Sequence, residues 1–481
     1  MLVAEELAAA TEQLPNSVAV LPFENLSSDL ENAYFAAGIH EVILNQLAKI
    51  GDLNVIVRTT MMLYADGDQP IDVIADELNV ETVMEGSVRY AGGRLLITAQ
   101  LIDPATSVPL WSGSYNRQLA DIFNIQPDVA TNIASALEAE FSIAEQDLVA
   151  KLPTESLEAY AIFLQANQAP FREKVGLLSD AIAIDPEFAL ALGRRAWART
   201  VLPYFSGGGE TSYIERQEIR DDAKAALAIE PTIGIAHAAL GILNTVQWRA
   251  EDARESFTRA LALQPSEPDV LAFYSLCLSV IGETGEAIEV GQRAVALDPS
   301  NSLSHILLGH TYFVSEDYAE ARVRYETART INPNPISNVL ARVRYAFTEI
   351  YDGRNDDALE LLRLLESDLE CEDQGTYMRP NIALAYSKAG SLEDARRVFD
   401  WLERNSDTSA DLLVRPEEWV IAYLVIGDYD EALKRASEVL DSSFPGTFAL
   451  MSELWMNLYK IPVLDTDPRW PELRARGGFD L

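Results

Sequence analysis

Cysteine, histidine and positive charge are all scarce in this chain of 481 residues. Its two cysteines, Cys277 and Cys371, lie nearly three repeat lengths apart, which excludes a disulfide framework or a cysteine-based metal centre. The four histidines, His40, His237, His305 and His310, never fall into a His-Glu-x-x-His arrangement. No Walker-type loop, nucleophile elbow or kinase signature set occurs either, so catalysis is not expected and no cofactor is implied. Lys and Arg number 37 against 75 Asp and Glu, a net charge of −38, and residues 1–150 alone hold 22 acids and 5 bases. Such a chain can hardly assemble the basic face that phosphate contacts require, so no nucleic-acid partner is expected. The longest apolar run, VLAFYSLCLSVIG at 270–282, has 13 residues, short of the roughly 20 that span a bilayer. It reads as a buried helix, and no membrane span is expected. Glu5 and Glu6 stand where a signal peptide would carry positive charge. The expected location is therefore cytoplasmic if the chain is complete as written, and periplasmic if it is the exported part of a membrane-anchored protein.

What the sequence does have is apolar material and repetition. Hydrophobic residues make up 48%, ample for well-buried cores. RALALQPSEP at 259–268 returns as RAVALDPSNS, and Pro231, Pro265, Pro299 and Pro333 are spaced by 34 residues each. Helix-turn-helix repeats bury a core only by stacking, so each needs small residues where helices approach and large ones where gaps are filled. Unit 302–335 supplies Leu308, Gly309, Tyr312, Ala321, Tyr325 and Ala328, and unit 234–267 supplies Leu240, Gly241, Ala253, Phe257 and Ala260 at the same offsets. Between them, unit 268–301 carries Ser275 and Gly291 at the Gly and aromatic positions, which predicts looser packing. Further units are read at 346–366, 381–403 and 419–440, with Gly353, Gly390 and Gly427 at their turns. Residues 154–187 and 188–232 read as degenerate units, the second enlarged by a loop at 203–213 whose glycines are not followed by Lys-Ser or Lys-Thr. Asp467 is positioned to cap a short terminal helix.

Residues 17–149 have another rhythm. SVAVLPF at 17–23 and LNVIVRT at 53–59 read as strands around a helix at 33–51 whose stripe includes Ile39, Ile43 and Leu47, which favours parallel pairing. A short helix is read near 71–78, then a hairpin from 82–90 and 94–103 and a strand at 109–118. A last helix carries Val129, Ile133, Leu137 and Phe141 on one face.

The repeats resemble the tetratricopeptide repeat, matching in residue type and spacing over three contiguous units. The front part, through VAVLPFENLSSDLENAYFAAGI (18–39), EGSVRYAGGRLLITAQLID (85–103) and LWSGSYNRQLADIFNIQ (110–126), resembles the TolB-like amino-terminal domain that precedes such repeats in bacterial signalling proteins. The implied organisation is a tail at 1–16, a TolB-like α/β domain at 17–149, an all-α solenoid of about eight units at 154–446, and a capping segment at 447–481. The overall class is α+β. In that family the pair usually accompanies an output domain such as a nucleotide cyclase, a winged-helix DNA-binding domain or a kinase, none of which has its motifs here.

The resemblance implies a non-catalytic scaffold or sensory module of a bacterial signalling system, with a protein or peptide held in the concave lining of the solenoid. The alternatives are a detached regulatory half of a cyclase or transcriptional regulator, and an envelope assembly factor. Projection from the packed positions places Ile242, Leu276, Ile306, His310, Phe313, Val343, Phe347, Tyr351 and Tyr377 on the lining. Of these, Ile306, His310, Phe313, Val343, Phe347, Tyr351 and Tyr377 are the candidate partner-binding residues. An apolar and aromatic lining favours an apolar or basic segment over an acidic tail. The same side chains would equally serve as packing between neighbouring helices. His237 and His305 share a repeat position on the packed side and read as structural. Asp66 with Asp68, and Asp72 with Asp76 and Glu77, lack the spacing of a calcium loop and read as solvated faces.

Overall fold

The computed structural model describes residues 15–27, 33–65, 69–118, 125–137, 139, 142–151, 153–205, 213–247, 249–331, 335–369, 379–405, 420, 423–424, 426–441, 467–469 and 471–473. A small mixed sheet on the amino-terminal side is followed by a solenoid of helical repeats.

The sheet holds β1 (Ser17–Val20), β2 (Glu24–Asn25), β3 (Asn54–Ile56), β4 (Thr82–Ala91), β5 (Arg94–Asp103) and β6 (Val108–Gln118), in the order β3-β1-β4-β5-β6 with β2 beside β4. β1 runs parallel to both β3 and β4, with Val18 opposite Val55 and Thr82. The parallel pair is possible because α1 (Ala33–Leu47) provides the crossover. The hairpin turns at Gly92 and Gly93, with φ of +57° and +77°, which glycine adopts without steric cost. Alternation along β5 buries Leu95, Ile97, Ala99 and Leu101. The two-residue β2 had no sequence signal of its own.

Ile39, Ile43, Leu44 and Leu47 of α1 cover one face of the sheet. The other face, at Ala19, Ile56 and Val83, is covered by α2 (Arg58–Met61), a 3-10 turn and α3 (Ile71–Leu78), through Met61, Ile74 and Leu78. After α4 (Ile125–Ala136) and α5 (Ile143–Ala150) the helical pairs begin. They are α6 (Leu157–Gln168) with α7 (Phe171–Ile184), α8 (Ala189–Phe205) with α9 (Tyr213–Ile229), and α10 (Gly234–Val246) with α11 (Ala250–Leu263). Next come α12 (Pro268–Val280) with α13 (Thr284–Leu297), α14 (Ser302–Val314) with α15 (Tyr318–Ile331), and α16 (Pro335–Tyr351) with α17 (Asn355–Leu369). The last described helices are α18 (Arg379–Lys388), α19 (Leu392–Asn405) and α20 (Tyr429–Asp441). The sheet and the first pair share one apolar core, in which Val18, Ile43 and Leu95 are continuous with Phe163 and Phe188.

The repeat signature has a direct steric cause. A Cβ at Gly309 would come within 2.7 Å of the Tyr325 ring, and one at Gly241 within 2.9 Å of the Phe257 ring. Glycine on the first helix makes room for the aromatic of the second. In the middle unit a Cβ at Gly291 would meet the Ser275 Oγ at 2.8 Å and Leu308 at 2.9 Å. The expectation of looser packing there is corrected: Leu308 of the following unit occupies the space a ring would take. The Ser275 hydroxyl donates to the Ala287 carbonyl at 2.7 Å, and Thr311 lies 3.1 Å from Ser275 and 2.8 Å from Ser279.

Turns between the helices of a pair use a left-handed residue: Gly282, Gly353, Gly390 and Gly427 have φ between +79° and +91° or +78° at Gly353. At the matching turn of α14 and α15 a glutamate, Glu316, holds φ of 64°. Residues 206–212 of the expected loop lie outside the described residues. Asp467 accepts a hydrogen bond from the Arg469 backbone N–H at 2.9 Å.

Candidate functional site

Of the seven candidate lining residues, Ile306, His310, Val343 and Phe347 are buried, at 2%, 5%, 1% and 5% exposure, so packing occupies their surfaces. Phe347 and Val343 belong to the core shared by α16, α17, α18 and α20, and Ile306 packs with Leu308 and Tyr325. Ile242 is likewise buried, while Leu276 is half-buried. Tyr377 lies outside the described residues. Phe313 and Tyr351 are half-buried and keep accessible surface.

These two rings meet edge to face, with centroids 5.3 Å apart, although they come from the ends of α14 and α16. Tyr318, at the start of α15, adds a third ring 5.9 Å from Phe313. Burial lifts the Tyr318 phenol above the ordinary tyrosine range, with Glu316 and Asp352 adding to the rise. Burial, then Tyr318, pushes Tyr351 up to about 12. Glu316, Asp317 and Asp352 are exposed; Asp317 accepts from the Glu320 N–H at the start of α15, and Asp352 is paired with Arg322 and Arg354. Sequence projection missed Tyr318 because it lies on a second helix, outside the row of first-helix positions; the run SEDYAE was its only signal.

The histidines are neutral packing groups. His237 Nε2 lies 3.2 Å from the Pro231 carbonyl and His305 Nε2 lies 3.1 Å from the Pro299 carbonyl, the same contact six residues back in two units. His40 makes a 2.7 Å contact with the Val20 carbonyl, and burial lowers its imidazole to about 4. His310, expected toward the groove, is instead enclosed, and burial lowers it to about 3. No group of three or more His, Cys, Asp or Glu side chains able to hold a metal ion occurs among the described residues.

The turns that carry the repeated prolines dock on the sheet. Ser266 Oγ donates to the Leu53 carbonyl at 2.7 Å, and the Val57 N–H donates to the Leu297 carbonyl at 3.2 Å. Thr60 Oγ1 donates to Asp298 Oδ1 at 2.8 Å and lies 3.0 Å from Ser300 Oγ. Charges of both signs fill the same seam: Arg58 sits 3.6 Å from Glu41, Arg194 sits 3.7 Å from Glu267, and Asn301 donates to Asp269 at 2.9 Å. Burial raises the carboxyls of Glu267, Asp269 and Asp298 and lowers the Lys174 ammonium. Buried charges persist only where opposite charges and hydrogen bonds offset their desolvation, so the seam is built as a unit.

Comparison with known proteins places tetratricopeptide repeats in this chain: the family's profile matches residues 247–302. A putative adenylate cyclase 3 from Rhizobium meliloti is 38% identical over 188 residues, covering 37% of this chain and 32% of that protein. Human tetratricopeptide repeat protein 13 is 31% identical over 111 residues, covering 23% of this chain and 12% of that protein. The chain thus spans about a third or less of the length of these relatives. Among solved structures, a tetratricopeptide repeat protein from Parabacteroides merdae aligns over 54% of this chain and 97% of its own, at 16% identity and a TM-score of 0.37. PilW, a type IV pilus biogenesis factor, aligns over 45% and 96%, at 17% identity and a TM-score of 0.36. No described helix is long and apolar enough to cross a membrane.

Proposed function

We propose that this chain is a non-catalytic interaction module of a bacterial signalling system, whose repeats hold a basic or apolar segment of a protein partner. The observation that carries the reading is the half-buried cluster of Phe313, Tyr318 and Tyr351, with the carboxylates of Glu316 and Asp352 close enough to act on the Tyr318 phenol. Aromatic faces attract Lys and Arg heads and apolar side chains alike, and surrounding carboxylates steer cations toward them. On this reading residues 17–149 are a TolB-like domain, 154–446 the solenoid and 447–481 its cap, and the net charge of −38 turns nucleic acid away.

A peptide array probed with the purified chain tests it. Lysine- and arginine-bearing peptides with apolar or aromatic neighbours are expected to be retained, less so as salt rises. Phe313→Ala and Tyr351→Ala should each lower affinity by about tenfold or more while the melting temperature moves only modestly. Retention unchanged by both substitutions, or a preference for acidic peptides, overturns the assignment.

The identity with part of a cyclase favours a second reading, in which the chain is the regulatory portion of such an enzyme. Both readings expect no cyclic nucleotide from ATP and Mg²⁺ with this chain alone. Turnover that survives further purification overturns both.

A further inference from the structure

Where the end of α1, the segment joining α5 to α6 and three repeat turns converge, they line an open cavity of about 520 Å³. Its apolar wall comes from Tyr160 and Phe163, both under 5% exposed, with Ile233 beside them. Two polar groups on the cavity are left over from folding. Gln46 is only 6% exposed, lines the cavity, and its Oε1 has no hydrogen-bond partner. Lys49, one turn on, donates to the Leu148 carbonyl at 3.0 Å and has no carboxylate partner among the described residues.

That second fact is notable in a chain with 75 acidic residues. The other charges on the wall are accounted for. Lys151 pairs with Glu230, Asp185 accepts from Thr154 Oγ1 and from the Glu187 N–H, and Arg194 is held by Asn45 and Glu267. Glu155 and Glu187 are exposed at the rim. Burial lowers the Lys49 ammonium to about 8, so at neutral pH most of it is charged. A largely buried cation without a counter-charge and a buried acceptor without a donor cost free energy that a ligand can recover. Cavities of this size at junctions between folded parts are where small molecules bind.

We infer that this cavity binds a small monocarboxylate with an apolar body, its carboxylate on Lys49 and an N–H or O–H donor on Gln46 Oε1. The rim carboxylates turn away polyanions such as phosphate. The site is separate from the aromatic patch on the solenoid, so it stands or falls independently of the partner proposed above.

The probes are 3-phenyllactate, its amide, 3-phenylpropionate and inorganic phosphate, titrated by calorimetry and thermal shift against the full chain. The lactate should bind and raise the melting temperature, the amide should bind about tenfold or more weakly, and phosphate should not compete. Lys49→Met should cost the acid the same factor, with Lys49→Arg restoring part of it. Gln46→Leu should remove the advantage of the lactate over the propionate. The comparison of acid with amide needs no variant, so it decides even where a variant folds poorly. Equal binding of acid and amide, competition by phosphate, or no binding of any acid below about 10 mM overturns the inference.

Discussion

The Thr60 hydroxyl reaches across 238 positions of sequence to donate a 2.8 Å hydrogen bond to Asp298, at the turn that closes one repeat and opens the next. Asp298 is 2% exposed, and Ser300 also donates to the same oxygen at 3.1 Å. The two donors make a neutral or charged carboxyl tolerable at a place where the sheet covers the solenoid.

Asp298 should therefore leave a signature in stability against pH. Burial raises its carboxyl from 3.8 to about 7, against the pull of Thr60, with nearby Asp269 adding to the rise. A raised acid holds its proton in the folded state, so its favourable contribution is present at low pH and lost as pH climbs from about 4 through about 7. Asp298→Asn keeps an acceptor for Thr60 and removes the titration. The variant is expected to gain on the parent by an amount on the order of 1–3 kcal/mol between about pH 5 and about pH 8. Urea unfolding at the two pH values checks this, and a constant difference between the proteins refutes it.

Two glycine substitutions should part company. Gly309→Ala would put a methyl 2.7 Å from the ring of Tyr325, which is 1% exposed and has nowhere to go. Overpacking of that kind costs about 1–3 kcal/mol. Gly285, also helical, has nothing within 4 Å of a built Cβ, so Gly285→Ala should be neutral or gain up to about 1 kcal/mol. Thermal unfolding of the pair separates a spatial role for glycine from mere composition.

Glu349 gives the third test. It is 1% exposed, and Arg322 and Arg354 each donate to its Oε1 at 2.6 Å while Arg354 also lies in ion-pair contact with Oε2. Glu349→Gln keeps the shape and deletes the charge between two cations. The expected loss is about 3–5 kcal/mol, larger than for any exposed pair on the same helices. A loss below about 1 kcal/mol by urea unfolding would show that the two guanidiniums are satisfied without it.

Much of this architecture is written locally. The 34-residue proline spacing and the Gly309/Tyr325 and Gly241/Phe257 pairs identify the helical pairs, because stacking forces small against large at fixed offsets. Gly92 and Gly93 mark the hairpin for a similar reason. The candidate site is less legible in the sequence. Helical periodicity puts Ile306, His310, Val343 and Phe347 on one face, but it is blind to the neighbouring helix that covers that face. Tyr318 joins Phe313 and Tyr351 only through the turn between α14 and α15. The cavity at Lys49 is made by distant segments, so no single stretch of sequence announces it.

The filling of unit 268–301 by Leu308 of the next unit bears on how the array could have grown or could be edited. Similar spacing suggests that 34 residues could be cut out or copied in register, yet Gly291 and Ser275 need a leucine supplied from downstream. A second copy of 268–301 placed after itself would offer the larger ring of Tyr274 at the position of Leu308 and overfill the space beside Gly291. Removing the unit would also take away Asp298 and Ser300, the acceptors that Thr60 reaches. These links look alike on paper but fit in only one order.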